Sequence, residues 1–323
     1  MKKYLSSLIL ILWFGCSTAF GEVPPEWINN PSGLYDERYL TATGIGRDRE
    51  TAEADAIKAL ASVFGQSVDS RTEASRYMAV SGEHKTSINH NVSLSTNMEF
   101  LSGAEIKQAW TSSDGKCYAL AVLDKEKTAG IYYRKTEQLF RDISALLRKD
   151  ENPLINCYNY KKGAELAGKQ NDYITILSVL SFNTAELAKD MVFSPEEIEK
   201  ELSILMQEAP VFVSVTGNPG DRHGRLKKAL SEKVQEMGCL AVYNPARFEI
   251  SCEVNIEPFK LQGNPNQMVR YFMEITMKDN ETGSVPDTYH IEGQTGFMTL
   301  EGAHDRVYMS LEKKIKEEYT IIK

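Results

Sequence analysis

The 323-residue chain lacks a second long apolar run. Past Leu5–Phe14, nothing approaches the roughly 20 consecutive apolar residues that a membrane-spanning helix needs. Positive charge is scarce too: 37 Lys and Arg stand against 45 Asp and Glu, a formal net charge of −8. No basic cluster lies beyond the first residues, which argues against a surface that tracks nucleic-acid phosphates. Only four cysteines follow residue 21 (Cys117, Cys157, Cys239 and Cys252), with no Cys-x-x-Cys and no Cys/His spacing of a zinc site. The five histidines are scattered. His84 and His90 are nearest in sequence, yet along a strand they would stand roughly 20 Å apart, too far to share a metal. Gly-x-Ser-x-Gly and His-Glu-x-x-His are absent, so these two local signatures of common hydrolases are missing.

What is present begins with an export signal. Lys2 and Lys3 supply a positive start, Leu5–Phe14 the short apolar stretch, and small residues follow. Two processing points compete. Ala19-Phe20-Gly21 fits ordinary signal-peptidase cleavage, leaving Glu22 as the new N-terminus. Gly15-Cys16 fits cleavage before a lipidated Cys16, although Trp13 holds the place where a lipoprotein signal normally carries Leu. The first reading yields a soluble protein, the second a membrane contact made only through the lipid on Cys16.

After residues 1–21 the pattern predicts an α+β chain: two antiparallel-sheet domains with packed helices, joined by a helical region. The first domain spans 24–148. It opens with Pro24-Pro25-Glu26-Trp27, then a strand over Tyr39–Ile45. A helix to about Phe64 follows, capped by Asp48 or Thr51, with Ala52, Ala56, Ala59, Leu60 and Val63 as its apolar face. Strict alternation over Ile88–Phe100 predicts a strand, with Val68–Val80 as its partner across Ser81-Gly82-Glu83. A hairpin spans Glu105–Leu123 and turns at Ser113-Asp114-Gly115, and a helix from Lys125 to Arg148 closes the domain. Residues 150–208 read as a helical hairpin between the two domains, with Ser194-Pro195-Glu196-Glu197 as a strong helix start. Residues 209–323 have the order β-α-β-β-β-β-α, with Phe248–Ile256 alternating as a half-buried strand. Cys239 and Cys252 fall on what should be neighbouring strands and are the best-placed disulfide pair, with isolated buried thiols as the alternative.

Two loops invite a chemical reading. Gly44-Ile45-Gly46 lies between strand and helix, but Arg49 stands where the third glycine of a dinucleotide fingerprint belongs. These glycines are better explained by close packing of helix on strand. No cofactor is expected. The second loop, 217–225, sets Arg222, His223 and Arg225 at a helix start, a weak candidate for holding an anion. Arg225-Leu226 replaces the Lys-Ser/Thr of a P-loop, and a solvated connection is the simpler reading. Tyr132, Tyr133 and Phe140 form an aromatic group, read as packing of the closing helix on its sheet rather than as a partner surface.

Pro25-Glu26-Trp27, the strand Tyr39–Gly46 and the helix with Ala52 and Ala56 together resemble the Lpp-twenty lipoprotein family, over residues 24–124. The resemblance implies a bacterial envelope protein, often on the outer membrane; some relatives accompany the flagellar motor and some are surface antigens. It attaches no catalytic residue. The expectation is therefore a non-catalytic scaffold or assembly accessory of the periplasm or outer membrane. Its partners would be other envelope proteins or further copies of itself, not nucleic acid. A ligand- or glycan-binding module and a periplasmic hydrolase are the alternatives.

Overall fold

The computed structural model describes residues 23–81, 101–285 and 287–321. The export signal with Cys16, Ala19 and Gly21, the histidines His84 and His90, and the strand expected over 88–100 lie outside the described residues. The chain divides into two compact units. One comprises the described residues up to Ile131 with Val179–Ser181; the other comprises Tyr132–Ser178 and everything from Phe182 on.

The first unit holds β1 (Tyr39–Gly46), α1 (Arg49–Ser81), β2 (Ala104–Thr111), β3 (Cys117–Asp124) and the start of α2 (Lys125–Leu146). The sheet is antiparallel, in the order β1-β3-β2. The hairpin turn is where the sequence puts it, with Gly115 at φ 81°. Because β3 is central, both its faces are covered, and Ala119 to Leu123 are all buried. Leu120 and Val122 form one face and meet Trp27, around which Ile28, Tyr35, Tyr39, Trp110 and Tyr118 gather. The opposite face is small-residued and receives α1.

α1 is longer than the sequence reading. Val68–Val80 is not a strand but continues this helix. The segment contains no Gly or Pro, and its Arg, Glu, Ala and Met are good helix formers. The buried stripe is Ala52, Ala56, Leu60, Phe64 and Val68, every fourth residue, whereas Val63 points to solvent. Asp48 rather than Thr51 is the cap: its carboxylate accepts from the Thr51 amide at 2.8 Å and hydroxyl at 2.6 Å. Those bonds hold the Asp48 carboxyl below its ordinary range.

In the second unit, α3 (Pro153–Leu180), α4 (Phe182–Ala188) and α5 (Pro195–Glu208) form the helical region. Ser194 caps α5 by accepting from the Glu197 amide at 3.2 Å. Tyr132 is fully buried and meets Tyr173 edge-on at 5.3 Å, while Phe140 stacks on Phe193 at 5.3 Å. Tyr132 therefore meets α3, and Phe140 meets the segment just before α5.

The C-terminal sheet runs β5-β4-β6-β7-β8, from β4 (Pro210–Asn218), β5 (Leu240–Val242), β6 (Phe248–Phe259), β7 (Gln267–Asp279) and β8 (Asp287–Phe297). The α+β class holds, with one refinement: β4 lies parallel to both β5 and β6, so this sheet is mixed. The parallel pairing follows from the crossover helix α6 (Arg225–Glu236) between β4 and β5. α6 and α7 (Leu300–Glu318) cover one face, burying Val211, Val213, Ile250, Val254, Met273 and Ile275 beneath Leu226, Leu230, Val307 and Leu311.

Candidate functional site

The glycine pair of β1 has a packing role. A Cβ on Gly44 would lie 2.0 Å from the Ala56 amide nitrogen, and one on Gly46 would lie 2.4 Å from that of Ala52. The helix backbone thus rests directly on the strand, and Asp55 reaches back to accept from the Ile45 amide at 2.9 Å. No space is left there for a phosphate.

The 217–225 loop is drawn together from within. Tyr308 of α7 donates its hydroxyl to the Pro219 carbonyl at 2.5 Å, filling the space that a side chain at 217 would need. Burial, with Asp221 and Cys252 nearby, pushes that hydroxyl up to about 12. Asp221 accepts from the Leu226 amide at 2.9 Å, so the chain's own carboxylate occupies the start of α6. Arg222 pairs with Glu301, and Arg225 with Glu312 at 3.4 Å. His223 lines a void of about 10 Å³ with His304 and Asp305, room for about one water molecule. Arg222 lines the same void, whereas Arg225 lines a separate concavity with Glu312 and Lys316, and both arginines already have carboxylate partners.

The uncovered face of the β6–β8 sheet was not singled out by sequence reading. Opposite the helices, Glu249, Glu253, Glu257, Glu274 and Glu292 project beside Arg270 and Lys278. Register puts Asn255, Phe272 and Glu292 in one row, and Glu257, Arg270 and Gln294 in the next. Together they line a shallow concavity of about 400 Å³ around Phe272, which is 40% exposed. The period-2 alternation marks these residues as solvent-facing, but only the register shows which of them share a row. Among the described residues, no group of three His, Cys, Asp or Glu is arranged to hold a metal ion.

All four described cysteines are buried thiols. Cys239 does not approach Cys252. Leu240 pairs with Pro210 while Cys252 pairs with Val215, so Cys239 and Cys252 sit on opposite sides of β4 and about six positions apart along it. At about 3.3 Å per residue that separation far exceeds the reach of a disulfide. The thiol beside Cys239 is instead Cys157 of α3. Sequence spacing had no means of finding this pair, because one member lies in a helix of a different region.

Residues 25–124 match the model of the LPP20 lipoprotein family. No curated protein matches the chain. Among solved structures, the secreted protein HP1454 from Helicobacter pylori aligns with 88% of this chain and 100% of its own, at 15% identity and a TM-score of 0.44. Lipoprotein GNA1162 from Neisseria meningitidis aligns with 32% of this chain and 96% of its own, at 8% identity and a TM-score of 0.21. Rare lipoprotein B from Shewanella oneidensis aligns with 33% of this chain and 86% of its own, at 13% identity and a TM-score of 0.22. The family match supports an exported, lipoprotein-related protein of the cell envelope, and it assigns no particular role.

Proposed function

We propose that the chain is a non-catalytic accessory of the bacterial cell envelope, presenting its two units to other envelope proteins. The observation that carries this reading is the family match over residues 25–124. Its characteristic residues serve packing: Trp27 fills one face of the sheet, while Gly44, Gly46, Ala52 and Ala56 seat a helix on the other. Residues spent on packing leave recognition to the surface, which suits a scaffold. The test is crosslinking in intact cells followed by purification of the full chain from native membranes. A reproducible envelope-protein adduct is expected; a monomer under every condition overturns the reading.

A second reading rests on Phe272. A half-exposed aromatic ring flanked by Asn255, Gln294, Glu292 and Arg270 offers a stacking face with planar hydrogen-bonding groups around it, the chemistry that suits a saccharide. Titration with peptidoglycan-derived saccharides should shift the Phe272 ring resonances in the NMR spectrum. No shift at millimolar ligand rejects this reading.

A further inference from the structure

The end of α6 is built so that it delivers Cys239 to a fixed place. Gly238 takes a left-handed φ of 80°. Its amide donates to the Gln235 carbonyl at 2.9 Å and the Cys239 amide to Val234 at 3.1 Å, the paired bonds of a Schellman motif. α3 grips this terminus from the other side: Lys161 Nζ donates to the carbonyls of Gln235 at 3.0 Å and Glu236 at 2.8 Å. The contact is backbone-close, since a Cβ on Gly238 would lie 2.9 Å from the Cys157 carbonyl oxygen. Cys157 is one helical turn before Lys161, and its side chain lies beside that of Cys239. Both residues are fully buried.

We propose that Cys157 and Cys239 form a disulfide in the exported protein, tying α3 to the loop after α6. The inference rests on the export reading, because that compartment supplies the oxidant: a protein or small molecule carrying a reactive disulfide. The Cys157 thiolate attacks one sulfur of that disulfide, forming a mixed disulfide and expelling one thiolate of the oxidant. The Cys239 thiolate then attacks Cys157 Sγ and expels the second. The protein thiols lose two protons and two electrons, and the oxidant's disulfide is reduced to two thiols. Either thiol can attack first, and the balance of the two steps is the same. Since both sulfurs are inaccessible once packed, exchange takes place while the second unit folds. Cys117 and Cys252 are the other two buried thiols among the described residues, and the proposal leaves both reduced; burial and Asp221 push the Cys252 thiol up to about 12.

The test is thiol mapping of the full chain expressed with its leader, acid-quenched and alkylated under denaturing conditions without reductant. The expected result is labels on Cys117 and Cys252, a mass for the peptide of Cys157 joined to that of Cys239, and four labels after reduction. Intact mass of the same sample reports leader removal. A processed chain with four free thiols, or with Cys239 joined elsewhere, overturns the disulfide; an unprocessed chain counts against export instead. The chain from Glu22, refolded with glutathione disulfide, separates the two, since it must form the same bond without export. Failure to form it there also overturns the proposal. The double variant Cys157→Ser, Cys239→Ser should unfold several degrees below the oxidised protein. It should match the reduced protein, which a mere packing defect would not do.

Discussion

At the scale of single residues, glycine shows how far context decides the meaning of one amino acid. Gly44 faces the backbone of α1, and its Cβ would stand 2.0 Å from a main-chain nitrogen that cannot move alone. Gly44→Ala should cost about 3 kcal/mol, the upper range for overpacking, as a lower urea midpoint with an unchanged slope. Gly65 lies within α1 with open space around its Cβ position. Gly65→Ala should stabilise by about 0.5–1 kcal/mol in the same titration, because only the entropy of the unfolded chain changes. Asp279 carries a pH prediction. Burial pushes its carboxyl up, but bonds from Arg247, at 3.2 Å and 3.4 Å, and from the Glu281 amide outweigh burial and bring it below the usual range. A depressed folded value means stability is present above the unfolded pKa of about 4 and is lost as pH falls through the lower folded value. Asp279→Asn should therefore be less stable than the wild type at pH 7, and the gap should narrow on acidification in thermal melts run from pH 7 to pH 2.

At the scale of elements, starts and ends of helices were legible where a side chain closes its own backbone. Ser194-Pro195-Glu196-Glu197 announced α5, and the Ser194 hydroxyl accepts the expected amide hydrogen bond. Ser194→Ala should cost about 1 kcal/mol in chemical denaturation. The cap at Asp48 or Thr51 was legible for the same reason, with the structure choosing Asp48, and the Gly115 turn was legible because glycine permits the positive φ. Val68–Val80 was misjudged because its mixed polarity fits neither period well, and continuation from a helix already nucleated decided the outcome. The parallel pairing of β4 with β6 was equally illegible: alternation reports which face is buried but carries no sign of strand direction.

At the scale of the whole molecule, export has a direct measurement. The intact mass of the mature protein is expected to be that of a chain beginning at Glu22, and a mass beginning at an acylated Cys16 would instead establish a membrane anchor. The sequence by itself determined the α+β class, the hairpin, most of the helices, and the Trp27 and Gly-x-Gly signature that matches a lipoprotein family. Each depends on local periodicity, capping or steric permission, which act over a few residues and leave a readable pattern. Only the tertiary structure decided that Cys239 meets Cys157 rather than Cys252, and that Arg222 and Arg225 are held by carboxylates from α7. It alone put Phe272 in a row with Asn255 and Glu292. Those relations join residues tens of positions apart, and their geometry is set by strand register and helix packing, for which one sequence carries no local mark.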